Sequence, residues 1–170
     1  MKKGFTLIEL LVTSSIIMIM LGVTITYSQK GEGINRLNRS VERLSFDIRR
    51  VSNLSTQTRQ LGDKKVCGWG IYLNDKNSYI VFSDFCDSST INGDKVFSEN
   101  EIYEMVKLDK GVEIKDTNAL YLIYLPPEPR LEIYDEFNNK INEGNILIAN
   151  ESNKFSKTLN INQLGVISIK

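Results

Sequence analysis

The chain has 170 residues, 21 Lys+Arg against 21 Asp+Glu, two cysteines and no histidine. That length allows one domain with an appended segment, and the balanced charge argues against a disordered polyelectrolyte or a histone-like basic protein. Without histidine, a His general base, a Ser-His-Asp triad and an imidazole metal ligand are excluded, and two cysteines cannot supply the four ligands of a usual structural zinc site.

Neutrality hides a division. Residues 1–60 carry nine basic and four acidic side chains, while residues 61–170 carry twelve basic and seventeen acidic ones. After Met1-Lys2-Lys3-Gly4, residues 5–29 contain one charged side chain, Glu9. As a helix that stretch spans roughly 37 Å, enough for a hydrocarbon core of about 30 Å. Lys2 and Lys3 favour a cytoplasmic N-terminus. The apolar run is long and no A-x-A follows it, which favours a retained membrane helix over a cleaved secretory signal. Glu9 is the anomaly, because a carboxylate in an apolar helix costs about 2.5–3.5 kcal/mol on insertion scales. The segment offers no cation of its own, so the expected partner is a positive group on a neighbouring molecule. The plainer alternative is a protonated Glu near the interface.

The run Lys2-Lys3-Gly4-Phe5-Thr6-Leu7-Ile8-Glu9-Leu10-Leu11-Val12 closely resembles the N-terminal signal of type IV pilins and type II secretion pseudopilins. The resemblance implies cleavage by a prepilin peptidase after Gly4, N-methylation of the new terminal Phe5, and a salt bridge in assembly between Glu9 and the amine of an adjacent subunit. It implies residues 1–4 as leader and 5–29 as a transmembrane and filament-core helix. It also implies a bacterial inner-membrane location with an extracytoplasmic head, followed by entry into a pilus or pseudopilus. The partners implied are other pilin or pseudopilin subunits, the prepilin peptidase, an inner-membrane assembly platform and the lipid bilayer. Thr13-Ser14-Ser15 departs from the small or apolar residues common there, and no proline precedes Pro126. Gly22, Gly31 and Gly33 are positions where such a helix could melt locally, and Gly22 equally suits close helix packing in the membrane.

Residues 30–61 read as an amphipathic stalk helix. Its apolar residues Ile34, Leu37, Val41, Leu44, Ile48 and Val51 recur at gaps of three and four, which places them on one face. Arg36, Arg39, Arg43 and Arg50 cluster opposite, as a solvated face or as a contact for another subunit's acidic head. The stop is expected near Leu61-Gly62-Asp63. The net negative head and the lack of an RNP-like or Gly-rich basic motif count against nucleic-acid binding.

Residues 62–170 read as a β-rich head. Residues 70–73 and 79–82 suggest a hairpin, and 102–108 and 111–115 suggest two further strands. Residues 119–125 read as a central strand that stops at Pro126-Pro127-Glu128-Pro129. Residues 131–134 and 145–149 follow, and 158–162 with 166–169 form a terminal hairpin. The expected class is α+β, with a long N-terminal helix on a mostly antiparallel sheet. This order is similar to that of pilin-like proteins, in particular the minor pseudopilins. Trp69 is read as a core or sheet-edge aromatic.

Cys67 and Cys86 are 19 positions apart and flank the first hairpin. In an oxidising compartment they would form a disulfide worth about 3 kcal/mol; otherwise they are two buried thiols. Asp84, Asp87, Asn92, Asp94 and Glu99 crowd one stretch, and Asp84, Asp87, Asn92 and Asp94 are calcium candidates. Their spacing fits no EF-hand, so a solvated acidic turn and no cofactor is the primary expectation. The leading function is a non-enzymatic minor pilin or pseudopilin. The alternative is an uncleaved, single-pass membrane-anchored binding protein whose head takes a ligand. Paired carboxylates at a recognisable spacing, a nucleophile motif and a phosphate loop are all missing, which counts against an enzyme.

Overall fold

A computed structural model describes residues 6–57, 60–73, 75–86, 93–127 and 130–170, and only the backbone of residues 25–30. It is an α+β, pilin-like arrangement: helix α1 (Leu7–Gln57) is followed by eleven short strands among the described residues. The chain divides into two compact units, Met1–Asn35 and Arg36–Lys170.

In the first unit, the described residues are helical from Leu7 onward, and α1 continues without a break through Gly22, Gly31 and Gly33. Every described side chain from residue 6 to 24 is exposed. The Leu7–Thr24 window is long and apolar enough to cross a membrane. Thr13, Ser14, Ser15 and Thr24 turn their hydroxyls back onto the carbonyls of Leu10, Leu11, Leu11 and Met20 at 2.8–3.1 Å. Each hydroxyl donor is thereby satisfied within the helix, which is how Thr and Ser are tolerated in an apolar environment.

In the second unit, the stalk seam is buried from Leu37 onward. Leu37, Val41, Leu44, Ile48 and Val51 are all buried, whereas Ile34, in the first unit, is exposed. The helix ends at Gln57 rather than near residues 61–63, which corrects the expected stop. Leu61 instead pairs with Lys64 in a small hairpin of β1 (Gln60–Leu61) and β2 (Lys64–Tyr72). Gly62, at φ +61°, supplies the left-handed residue of that two-residue turn, a demand a glycine meets as readily as a helix cap.

The strands form two antiparallel sheets, where one had been expected. The larger contains β3 (Ser78–Phe85), β4 (Ile102–Lys107), β6 (Tyr121–Leu125), β7 (Arg130–Tyr134) and β8 (Lys140–Ile141), in the order β4-β3-β2-β6-β7-β8, with β1 attached to β2. The smaller contains β5 (Val112–Thr117), β9 (Glu143–Asn150), β10 (Ser156–Asn162) and β11 (Ile167–Ile169), in the order β11-β10-β9-β5. The 119–125 run does become a central strand, between β2 and β7, and the terminal hairpin is β10–β11. Alternation along the strands separates two cores. Val81, Leu122 and Tyr124 join the α1 seam and Ile146, Ile148, Leu159 and Ile161 of the smaller sheet in one cluster. Their strand neighbours Phe82, Tyr121 and Ile123 form a second cluster, with Tyr72 and Phe97 packed on it. Trp69 is buried in the main core, edge-on to Tyr103.

Polar contacts tie the helix to the strands within this unit. The Tyr79 hydroxyl donates to Asp47 at 2.5 Å, and Arg50 bridges Asp47 and Glu104 at 3.5 and 2.9 Å. Burial, then the Asp47 carboxylate, pushes the Tyr79 phenol far up, so it stays a donor. Arg39 pairs with Asp109 at 3.0 Å, and Arg36 donates to the Lys110 carbonyl at 3.2 Å. Three of the four arginines expected to cluster opposite the seam therefore fold onto the chain's own strands and loops, because a long guanidinium stem reaches around a helix face.

Candidate functional site

At the N-terminus, α1 begins with a capping box. The Thr6 N–H and hydroxyl both donate to Oε2 of Glu9 at 3.0 Å, and the Glu9 N–H returns a bond to the Thr6 hydroxyl at 3.3 Å. First-turn amides lack intrahelical acceptors, and an anionic side chain there also complements the helix dipole. The chain thus gives Glu9 a neutral hydrogen-bond partner of its own, Thr6. Oε1 has no partner among the described residues. The signal was present in the sequence as Thr6-x-x-Glu9. Gly4 and Phe5, the expected cleavage and methylation positions, lie outside the described residues.

In the head, Cys67 and Cys86 are joined by a disulfide, with Cα atoms 5.0 Å apart. Val66 pairs with Phe85 and Gly68 with Asp84, so Cys67 is an extra residue, a β-bulge on β2. The Cys86 N–H donates to the Lys65 carbonyl at 2.9 Å, which keeps the end of β3 against β2.

Just before that disulfide, β3 carries Asp84. It is fully buried, and its Oδ1 has no hydrogen-bond partner among the described residues. One carboxylate oxygen each from Asp84, Asp94 and Glu101 lie within 4.8 Å of one another. Backbone amides fix these groups. Lys95 N–H donates to Asp84 Oδ2 at 3.3 Å and Val96 N–H to Asp94 at 2.9 Å; Phe85 and Ser98 N–H each donate to Glu101 at 3.0 Å. Gly93 lies so close that a Cβ there would overlap the Asp84 carboxylate. Burial raises the Asp84 carboxyl to about 7, helped by Glu101 and Asp94. Burial raises Glu101 as well. The nearby cation Lys95 pairs with Glu132 at 3.0 Å while still drawing the Asp84 carboxyl down, and Lys64 does the same for Glu101. Burial pushes Glu132 up, but hydrogen bonds from Lys140, Tyr134 and Lys95 outweigh it and hold Glu132 at about 2.

Of the four calcium candidates, Asp84 and Asp94 come together, while Asp87 and Asn92 lie outside the described residues. Glu101 is the third member that the sequence reading missed. It sits in a short 3-10 turn, Glu99–Glu101, entered by Ser98-x-x-Glu101, again the capping-box spacing.

An exposed apolar N-terminal helix and a strand-rich α+β head define a pilin-like arrangement. Residues 1–25 match the family model of the prokaryotic N-terminal methylation motif, the signature of type IV pilins and pseudopilins. The match supports a pilin- or pseudopilin-type precursor, and implies in general a prepilin peptidase and assembly with other pilin subunits. With the apolar helix it also indicates membrane association. No curated protein and no solved structure matches the chain.

Proposed function

We propose that this chain is a non-catalytic structural subunit, a minor pilin or pseudopilin of a type IV pilus or type II secretion pseudopilus. It is held in the bacterial inner membrane with its head on the extracytoplasmic side, cleaved after Gly4 and N-methylated at Phe5. An inner-membrane assembly platform then draws it into a filament. The carrying observation is the methylation motif at residues 1–25. Support comes from the helix behind it, whose described side chains from residue 6 to 24 find no cover in their own chain. Apolar surface of that kind needs lipid first and neighbouring helices afterwards. The head's disulfide fits an oxidising compartment. In the filament Glu9 accepts the amine of a neighbour through Oε1, while Thr6 keeps Oε2.

Cross-linking between cysteines placed in the 7–24 segment tests the assembly step in cells that carry the filament machinery. Chains with these cysteines and Glu9 intact are expected to cross-link to other pilin subunits in sheared filaments. Glu9→Ala chains should insert in the membrane normally and fail to enter that fraction. If the same chains are found only as an uncross-linked membrane species, the subunit reading is refuted. Normal assembly of Glu9→Ala would refute the role given to Glu9 alone.

A further inference from the structure

The larger sheet ends on one side at β4, whose outer edge pairs with no strand among the described residues. Every second residue of such a strand turns its backbone N–H and C=O away from the sheet. Proteins usually blunt an edge of this kind with charge, proline, a bulge or very short length. The other six-residue edge strand, β5, follows that rule with Glu113, Lys115 and Asp116, and Lys115 is paired to Glu113 at 2.6 Å. In β4, by contrast, Ile102, Tyr103 and Met105 are 44%, 43% and 55% exposed.

The pairing register shows where these side chains lie. Met105 stands opposite Ile80 and Ile102 opposite Phe82, with Tyr103 inserted as a bulge. Ile80 and Phe82 belong to the second apolar cluster, so Ile102 and Met105 carry that cluster to the rim of the sheet and leave it open there. On the other face Tyr103 packs edge-on to Trp69 at 5.0 Å, and Glu104 is held by Arg50 at 2.9 Å. At the end of β4, Lys107 and Arg43 line a cleft of about 180 Å³ together with Ser40 and Asp109. Asp109 is paired with Arg39 at 3.0 Å, whereas Lys107 and Arg43 have no ion pair among the described residues.

We propose that the outer edge of β4 takes an extended segment of another protein as an added antiparallel strand, with an acidic residue at that segment's N-terminal end. Backbone hydrogen bonds give such an addition its affinity, and side chains at alternate positions give it specificity. All pairings in this sheet are antiparallel, so the guest strand starts opposite Lys107 and runs toward Ile102. Its side chains opposite Met105 and Ile102 fall two positions apart, because Tyr103 is the bulge, and both close the open rim of the second cluster. Its first residue lies beside Lys107 and Arg43, where a carboxylate complements two cations. The pattern that fits is acidic–x–apolar–x–apolar. A second copy of β4 does not supply it: the lone carboxylate of that strand, Glu104, is held by Arg50, and Lys107 would add charge of the wrong sign. This surface belongs to the 36–170 unit and is independent of the N-terminal motif.

The test uses full-length protein in detergent and a fluorescein-labelled peptide, Asp-Asp-Val-Thr-Val-Thr, followed by fluorescence anisotropy. Saturable binding is expected, and the peptide methylated on its backbone nitrogens should not bind. Met105→Glu, at an exposed position, should weaken binding about tenfold or more while leaving the melting temperature unchanged. Arg43→Glu with Lys107→Glu should reverse the preference, favouring Lys-Lys-Val-Thr-Val-Thr over the acidic peptide. No saturable binding up to about 1 mM peptide would overturn the proposal. So would binding that is unchanged in Met105→Glu or retained by the methylated peptide. A dimer in detergent that Met105→Glu disperses, with no peptide binding, would give this edge to a second copy and overturn the proposal as well.

Discussion

The same residue types behave in opposite ways in the two units. Leu7 is 83% exposed and Met18 is 75% exposed, whereas Leu44 and Ile48 of the same helix are wholly buried. The difference lies in the pattern. From residue 37 onward the apolar side chains of the helix, Phe46 apart, keep to one seam and meet two sheets, so burial there is settled within one chain. Before residue 24 they lie all round the helix, which no single sheet could cover. One unit is finished by its own fold and the other by its surroundings.

The sharpest break in that comparison comes from paired truncations. Leu44→Ala should lower the unfolding free energy of the 36–170 unit by about 2–5 kcal/mol, as core Leu truncations do. Leu11→Ala should leave it unchanged. Chemical denaturation followed by Trp69 fluorescence reads both, since Trp69 is in the main core. Next in size, Cys67→Ser with Cys86→Ser should cost about 3 kcal/mol by opening a 19-residue loop, in the same assay.

A pH effect follows from Asp84. Its folded value of about 7 stands above the ordinary carboxyl value, so between about 4 and 7 the native state holds a proton that the unfolded chain has released. In metal-free protein this group should therefore make stability fall as pH rises through that window, then level off. Glu101, also raised by burial, adds in the same direction. Asp84→Asn should flatten the profile, read as melting temperature against pH. A slope unchanged in that variant would remove Asp84 as its source.

Tyr79→Phe strips the donor from buried Asp47 and should cost about 1–3 kcal/mol, because it leaves a buried acceptor unsatisfied. Smallest is Thr6→Ala, which removes a helix cap worth about 1 kcal/mol. It should speed hydrogen exchange in the first turn of α1 without altering the melting of the head.

Periodicity made most of this legible. The seam at Leu37, Val41, Leu44, Ile48 and Val51 follows from helical spacing alone, and the strands other than the two-residue β1 and β8 followed from short apolar runs between turn residues. The split into two sheets did not, since strand pairing depends on long-range register that one sequence does not display. The helix end was misplaced because Gly62 serves a hairpin turn as well as it would a helix stop. In the acidic cluster, Asp84 and Asp94 stood out by crowding, while Glu101 is brought in by the chain's return after the loop. Both missed partners, Thr6 and Glu101, belong to a Ser/Thr-x-x-Glu pattern that local reading could have supplied.

Intact-mass measurement of protein extracted from membranes of cells that express a prepilin peptidase tests the central claim most directly. The account predicts loss of Met1 through Gly4 and one added methyl group, located by fragmentation to the amine of Phe5. A chain that keeps Met1 and carries no methyl group in those cells would contradict it.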